Sequence, residues 1–240
     1  MTVSTETSYS LSLNEIIDEA FDVIGVGAEG ETINANMYER GKRSLNLMLK
    51  SWNAMENLWR ETEGYVLLAD GQYNYATGTL SPKPMRISSI RRQLLSNGIE
   101  TPMTQWSRQE FWDMPNKTNS PSTPVNWFFD AQRDEGVIYI WPAPTLAVAT
   151  DNRLRLTYLR TMFVMDSSAN TLDFPEEWQE TVVMNLAKAL LLKYPVNDPT
   201  IASMVIDRAD SLFAKLKAWD NETASIYLVP DDRYYGDVWR

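Results

Sequence analysis

The sequence predicts an α+β protein in which helical pairs at the two ends of the chain enclose a mainly antiparallel β region. Apolar residues recur every three to four positions in residues 13–59 and again in 176–219, the period of a helix with one buried face. After Gly64 the period shortens to two, and Gly, Pro and Asp-Gly or Asn-Gly steps cut the middle of the chain into short runs. Neither terminal pair can hide its apolar stripe alone. Packed together they give a four-helix unit, with a sandwich or barrel-like β region inserted between the halves. The predicted boundaries are an N-terminal helical pair over 1–62, the β region over 63–165, a C-terminal pair over 174–224, and an extended tail over 225–240.

Ser12-Leu13-Asn14-Glu15 reads as a capping box, and Leu13, Ile16, Ile17, Ala20, Phe21 and Ile24 form the first stripe. Gly25, Gly27 and Gly30 end that helix. The GVGAEG run resembles a phosphate loop only superficially, because it sits at a helix C-terminus, where the macrodipole repels anions. A second helix is predicted over 34–59, about 38 Å at 1.5 Å per residue. Met37, Gly41, Leu45, Met48, Trp52, Met55 and Trp59 would make its buried face, with Glu39, Arg40, Lys42, Arg43 and Lys50 opposite.

In the β region, 65–69 and 72–76 around Asp70-Gly71 read as a hairpin, and 85–95 with 99–105 as a second. Ser107-Arg108-Gln109-Glu110 opens a short helix that Pro115 ends. The NKTNSPSTP stretch near 116–124 lacks apolar anchors and reads as a mobile loop. Runs at 125–129, 137–141 and 153–164 bring the set to about seven strands. In the last, Leu154, Leu156 and Tyr158 alternate with Arg153, Arg155 and Thr157, so one face is wet. Helices return over 176–194 and after Asp198-Pro199, a cap and first-turn pair. There Ile201, Val205, Ala209, Leu212, Leu216 and Trp219 form the stripe. Core packing is the reading for Trp52, Trp59, Trp178 and Trp219. For Trp106, Trp112, Trp127 and Trp141, core and interface both stay open.

Composition narrows the chemistry. The chain of 240 residues has no Cys and no His, which removes disulfides, thiolate zinc sites, Cys nucleophiles and His-based triads. No metal-binding or cofactor-binding residues are predicted. A net charge of −10 argues against binding nucleic acid by phosphate neutralisation. Arg91-Arg92, Arg153 and Arg155 then read as strand faces paired with carboxylates. No secretory signal and no apolar run long enough for a bilayer is visible, so no membrane partner is expected. Paired carboxylates are the remaining catalytic kit: Glu176 with Glu177, Asp166 with Asp173, Asp231 with Asp232. Each pair also has a structural reading, in a first helical turn or a turn after proline.

Nine Trp and eleven Tyr raise the expectation of assembly. The tail IYLVPDDRYYGDVWR concentrates it. Ile226, Tyr227, Leu228 and Val229 suit an added strand or a groove, and Tyr234, Tyr235, Val238 and Trp239 suit anchor pockets. Extended, the tail would reach about 50 Å, enough to grip a partner. Folding back on its own helices is the alternative.

Residues 16–26 (IIDEAFDVIGV), 28–32 (AEGET) and 43–52 (RSLNLMLKSW) resemble the opening of phage head-to-tail adaptors, the head-completion or tail accessory proteins of short-tailed phages. Phe174-Pro175-Glu176-Glu177-Trp178, through Leu186-Ala187 to Tyr194-Pro195, resembles the later helix of that family. The resemblance implies a non-enzymatic virion protein made in the host cytoplasm. It implies a dodecameric ring of copies under the portal protein, extending the DNA channel, helping to retain packaged DNA and carrying a tail tube or nozzle protein. A C-terminal extension commonly grips the portal in this family. Net acidity would let double-stranded DNA slide past without binding. Two alternatives stay open: a carboxylate-dependent glycan hydrolase of a phage particle, and another connector or tail-tube layer.

Overall fold

A computed structural model of the chain describes residues 9–26, 33–55, 58–118, 121–196 and 198–220. Helix α1 (Leu13–Val23) starts at the capping box: the Glu15 amide donates to Ser12 Oγ at 3.4 Å, and the Glu15 carboxylate accepts from the Ser12 amide at 2.7 Å. Gly25 closes it at φ +66°, a conformation that costs other residues strain. Helix α2 (Ala35–Trp52) is capped by Asn34. At Gly41 the two helices touch: an added Cβ would lie 2.8 Å from Ile17 Cγ2. Helices α5 (Gln179–Leu191) and α6 (Pro199–Trp219) come late in the chain. Leu13, Ile16, Phe21, Leu45, Leu186 and Leu190 belong to one apolar core to which all four helices contribute, with α5 against each of the others.

Two of these helices depart from expectation. Helix α2 ends at Trp52 rather than running on to residue 59. The Arg60 guanidinium, fully buried, donates to the carbonyls of Asn53 (3.1 Å) and Met55 (2.7 Å) and to Asn53 Oδ1 (3.2 Å). Those donors stand in for the amides that would otherwise continue the helix. A 3₁₀ turn, Leu58–Arg60, then leads into the sheets, and Trp59 packs on the helical core from that turn, 4.9 Å from Phe174. In α6 only Val205 and Ala209 of the predicted stripe are buried; Ile201 is 41% and Trp219 68% exposed. At 21 residues α6 outruns the 13 of α5, on which it chiefly rests, so Trp219 is a surface residue and not core.

Among the described residues, the middle region holds eight strands in two four-stranded sheets. The first has the order β1 (Glu61–Leu67), β8 (Asn152–Arg160), β3 (Pro84–Leu94), β4 (Glu100–Pro102), all antiparallel. The second has the order β2 (Asn74–Ala76), β7 (Val137–Trp141), β6 (Asn126–Asp130), β5 (Thr104–Gln105), with β5 parallel to β6. Val66, Ile87, Leu154 and Leu156 of the first sheet share a core with Tyr75, Trp127, Ile138 and Ile140 of the second. The sheets do not close into a barrel. The outer face of the second sheet lies under α3 (Arg108–Asp113), whose Phe111 is fully buried against Phe128 and Tyr139. Here the four open Trp positions separate. Trp127 is core, Trp106 stacks on Trp141, and Trp112 is 46% exposed.

The 85–95 and 99–105 hairpin forms as β3–β4, with Gly98 at φ +73° in its turn. The 65–76 hairpin does not form. β1 pairs along its whole length with β8, while β2 joins the other sheet. The Tyr75 hydroxyl accepts from the Ala69 amide (3.1 Å) and donates to the Gln72 carbonyl (2.8 Å). A side chain therefore closes that corner, and no ladder is needed. Helix α4 (Leu146–Asp151) goes unread in the sequence because it buries no residue and so leaves no stripe. Strand β8 stops at Arg160 instead of reaching 164. Beyond it the Asn53 and Asn46 side chains of the α2 region take the Met162 and Met165 amides, at 2.9 and 3.0 Å, in place of a strand partner.

Candidate interaction surfaces

The predicted partner-binding residues Ile226, Tyr227, Leu228, Val229, Tyr234, Tyr235, Val238 and Trp239 lie outside the described residues, as do Asp231 and Asp232. The other carboxylate pairs are described. Asp173 forms a two-pronged ion pair with Arg160, at 2.6 and 2.8 Å, and accepts from the Phe163 amide at 3.0 Å. Asp166 accepts from Asn170 Nδ2 at 2.6 Å. Glu176 and Glu177 stand in the 3₁₀ turn Glu176–Trp178 that leads into α5, where acids favour the helix dipole. Asp166 and Asp173 are thus committed to local structure. Among the described residues no three acidic side chains gather as metal ligands would, and no helix is long and apolar enough to cross a membrane.

A basic ridge runs along α2. Asn46 Nδ2 donates to the Met165 carbonyl at 2.9 Å, and Lys42 Nζ to the Asp166 carbonyl at 2.5 Å. With the two amides held by Asn46 and Asn53, these contacts lay residues 162–166 along the helix and turn Phe163 and Val164 outward, 56% and 45% exposed. Polar residues four apart share a helix face, so Lys42, Asn46 and Lys50 act as one clamp. Arg43 and Leu47 flank it on the solvent side. Leu47 is 65% exposed, and the Arg43 guanidinium has no ion-pair or hydrogen-bond partner among the described residues.

The outer face of the first sheet is a charge lattice. Arg155 bridges Glu63 and Glu100, and Arg91 reaches the same two carboxylates at 3.2 and 3.4 Å. Arg153 lies 3.8 Å from the centre of the Tyr65 ring. Hydrogen bonding from Arg155 comes first among the influences holding the Glu63 carboxyl below its usual range. Arg91 and Arg155 of the basic runs are thus paired with carboxylates, whereas Arg92 donates to the Pro124 carbonyl and Arg153 to Gln93 Oε1. The predicted 116–124 loop is tied at several points, its residues 119–120 lying outside the described set. Trp141 Nε1 donates to the Asn116 carbonyl at 3.1 Å, and the Ser122 amide donates to the Ala143 carbonyl at 2.8 Å.

Sequence reasoning missed Arg60, the most connected buried cation among the described residues. Besides the end of α2, it donates through Nε and Nη2 to the Arg160 carbonyl at 3.2 and 2.8 Å, so one side chain ties the helical core to the end of β8. Burial, then the neighbouring Arg160 charge, pushes its pKa down from the usual arginine range. A lone Arg before a strand carries no periodic signal, and only its surroundings mark it.

A chain with these surfaces, and with the family pattern running through nearly all of it, falls in the class of head-to-tail adaptors, structural connectors of phage virions. The model of the SU10 adaptor protein family matches residues 13–235, and the chain belongs to that family. Among solved structures, one described as the neck of an empty GTA particle computed with C6 symmetry is similar at 15% identity and a TM-score of 0.29. The match covers 80% of this chain and 87% of that one. No curated protein sequence matches.

Proposed function

We propose that the protein is a non-catalytic subunit of a ring, dodecameric by the resemblance of its motifs, that seats under the portal protein. The ring extends the DNA channel, helps to retain the packaged DNA and offers the attachment platform for a tail tube or nozzle protein. The single observation that carries this reading is the reach of the family pattern, residues 13–235. It takes in both helical pairs, the β region and most of the tail. The helices act as one four-helix unit (1–62 with 174–224) and the β region (63–165) as a sandwich inserted into it. The tail, 225–240, grips the portal or the adjacent subunit through Ile226, Tyr227, Leu228, Val229, Tyr234, Tyr235, Val238 and Trp239. Assembly takes place in the host cytoplasm, and the acidic chain leaves DNA free to slide.

The test is the size of the purified protein with and without portal rings. The expected outcome is a larger ring on the portal, and a folded monomer that no longer attaches once residues 226–240 are deleted. A chain indifferent to the portal would refute the reading. A deletion that unfolds the helices would instead assign the tail to the chain's own core.

A further inference from the structure

We propose that neighbouring copies of this chain meet through the basic ridge of α2 on one copy and an acidic, apolar-floored groove between α1 and the start of α5 on the next. This inference rests on the ring reading above and specifies its contact surface. The groove is a cleft of about 550 Å³ whose floor includes Val23, Val183 and Met184 and whose rim includes Glu19, Glu176 and Glu177. None of those three carboxylates has an ion-pair or hydrogen-bond partner among the described residues. The ridge carries Lys42, Arg43 and Lys50 with one carboxylate, Glu39, and the exposed Leu47 stands among them.

The two surfaces complement each other in charge and in polarity pattern. An exposed leucine ringed by cations matches an apolar floor ringed by carboxylates, the arrangement of a desolvated anchor inside a charged rim. No ion pair joins ridge to groove within the chain among the described residues. The α1 side is already crowded with like charge. Glu19 of α1 shares the groove's rim with Glu176 and Glu177, so incoming cations would relieve repulsion there. Because ridge and groove are different surfaces, their pairing is head-to-tail. Repetition of such a contact closes a ring when the rotation fits, whereas a two-fold contact would stop at a dimer. The occupant that fits is therefore a second copy of this chain.

Charge swapping on the full-length protein tests this. Arg43→Glu places a carboxylate opposite the acidic rim. Glu19→Lys with Glu177→Lys places cations opposite the ridge. Each variant alone is expected to associate about 100-fold more weakly than the native chain by native mass spectrometry and sedimentation, with unchanged circular dichroism. Mixing the two, or combining all three substitutions in one chain, restores assembly. In a separate arm, Leu47→Cys with Met184→Cys in this cysteine-free chain gives a disulfide between copies when assembled material is oxidised with diamide. Native assembly with no loss in the single-face variants, no rescue on mixing, or no such disulfide overturns the inference and leaves the ring reading standing. A native chain that stays monomeric even on portal rings removes both.

Discussion

At the scale of single residues, two side chains connect local chemistry to the whole. Arg60 is buried without a carboxylate at its head, and its charge is met by the carbonyls of Asn53, Met55 and Arg160. Removing it leaves three acceptors unpaired, so Arg60→Ala should cost roughly 3 kcal/mol or more in urea unfolding. A loss below about 1 kcal/mol would mean those carbonyls find other donors. Glu63 works at the surface. Its folded pKa lies below the ordinary 4.5, so its contribution is present above that value and lost as pH falls through the folded pKa. Glu63→Gln should therefore lower stability slightly at neutral pH and converge on the native chain as pH falls through the folded pKa, which flattens the acid limb. An unaltered acid limb would separate the charge lattice from acid stability.

At the scale of elements, packing outweighs propensity. Alanine at position 41 would raise helix propensity by about 1 kcal/mol, but its Cβ would press on Ile17, which is fully buried and cannot withdraw. Gly41→Ala should then destabilise by about 1–3 kcal/mol on thermal unfolding, the opposite sign to propensity alone. Asn46 holds the 162–166 segment from both sides, donating to the Met165 carbonyl and accepting from its amide. Asn46→Ala should cost about 1–2 kcal/mol and speed amide exchange at Met165 before the rest of the fold. Exchange that rises uniformly would deny the clamp.

At the scale of the whole molecule, two apolar cores meet at Arg60 and Arg160. The Arg160 side chain leaves β8 for Asp173 while its carbonyl accepts from Arg60. Each core leans on the same joint, so Leu186→Ala in the helical core and Ile138→Ala in the β core should each lower one shared transition, by about 2–5 kcal/mol. Two separate calorimetric steps in either variant would show that the joint does not couple them. The exposed ends of this architecture are apolar at Leu192 and Trp219 around α6 and at Leu47 on α2; on the proposed ring reading, a neighbouring copy would cover them.

Periodicity and punctuation in the sequence determined α1, both capping boxes, the β3–β4 hairpin and the start of α6, because each is marked within a few residues, and the alternation of β8, which shows in its own side-chain order although its strand partners lie far away in sequence. They also determined the family likeness, carried by packing residues and loop glycines. Other features needed the folded chain. The early stop of α2, the corner that sends β2 to the second sheet and the end of β8 were set by Arg60, Tyr75, Asn46 and Asn53. These polar side chains satisfy backbone groups far from them in sequence, or in place of a ladder. Such partners have no period, and the exposure of Trp219 depended on how far α5 extends beneath α6. The ridge and groove were legible as charged residues but not as surfaces. Only the packing of α1 against α5 brings Glu19 beside Glu176 and Glu177 over an apolar floor.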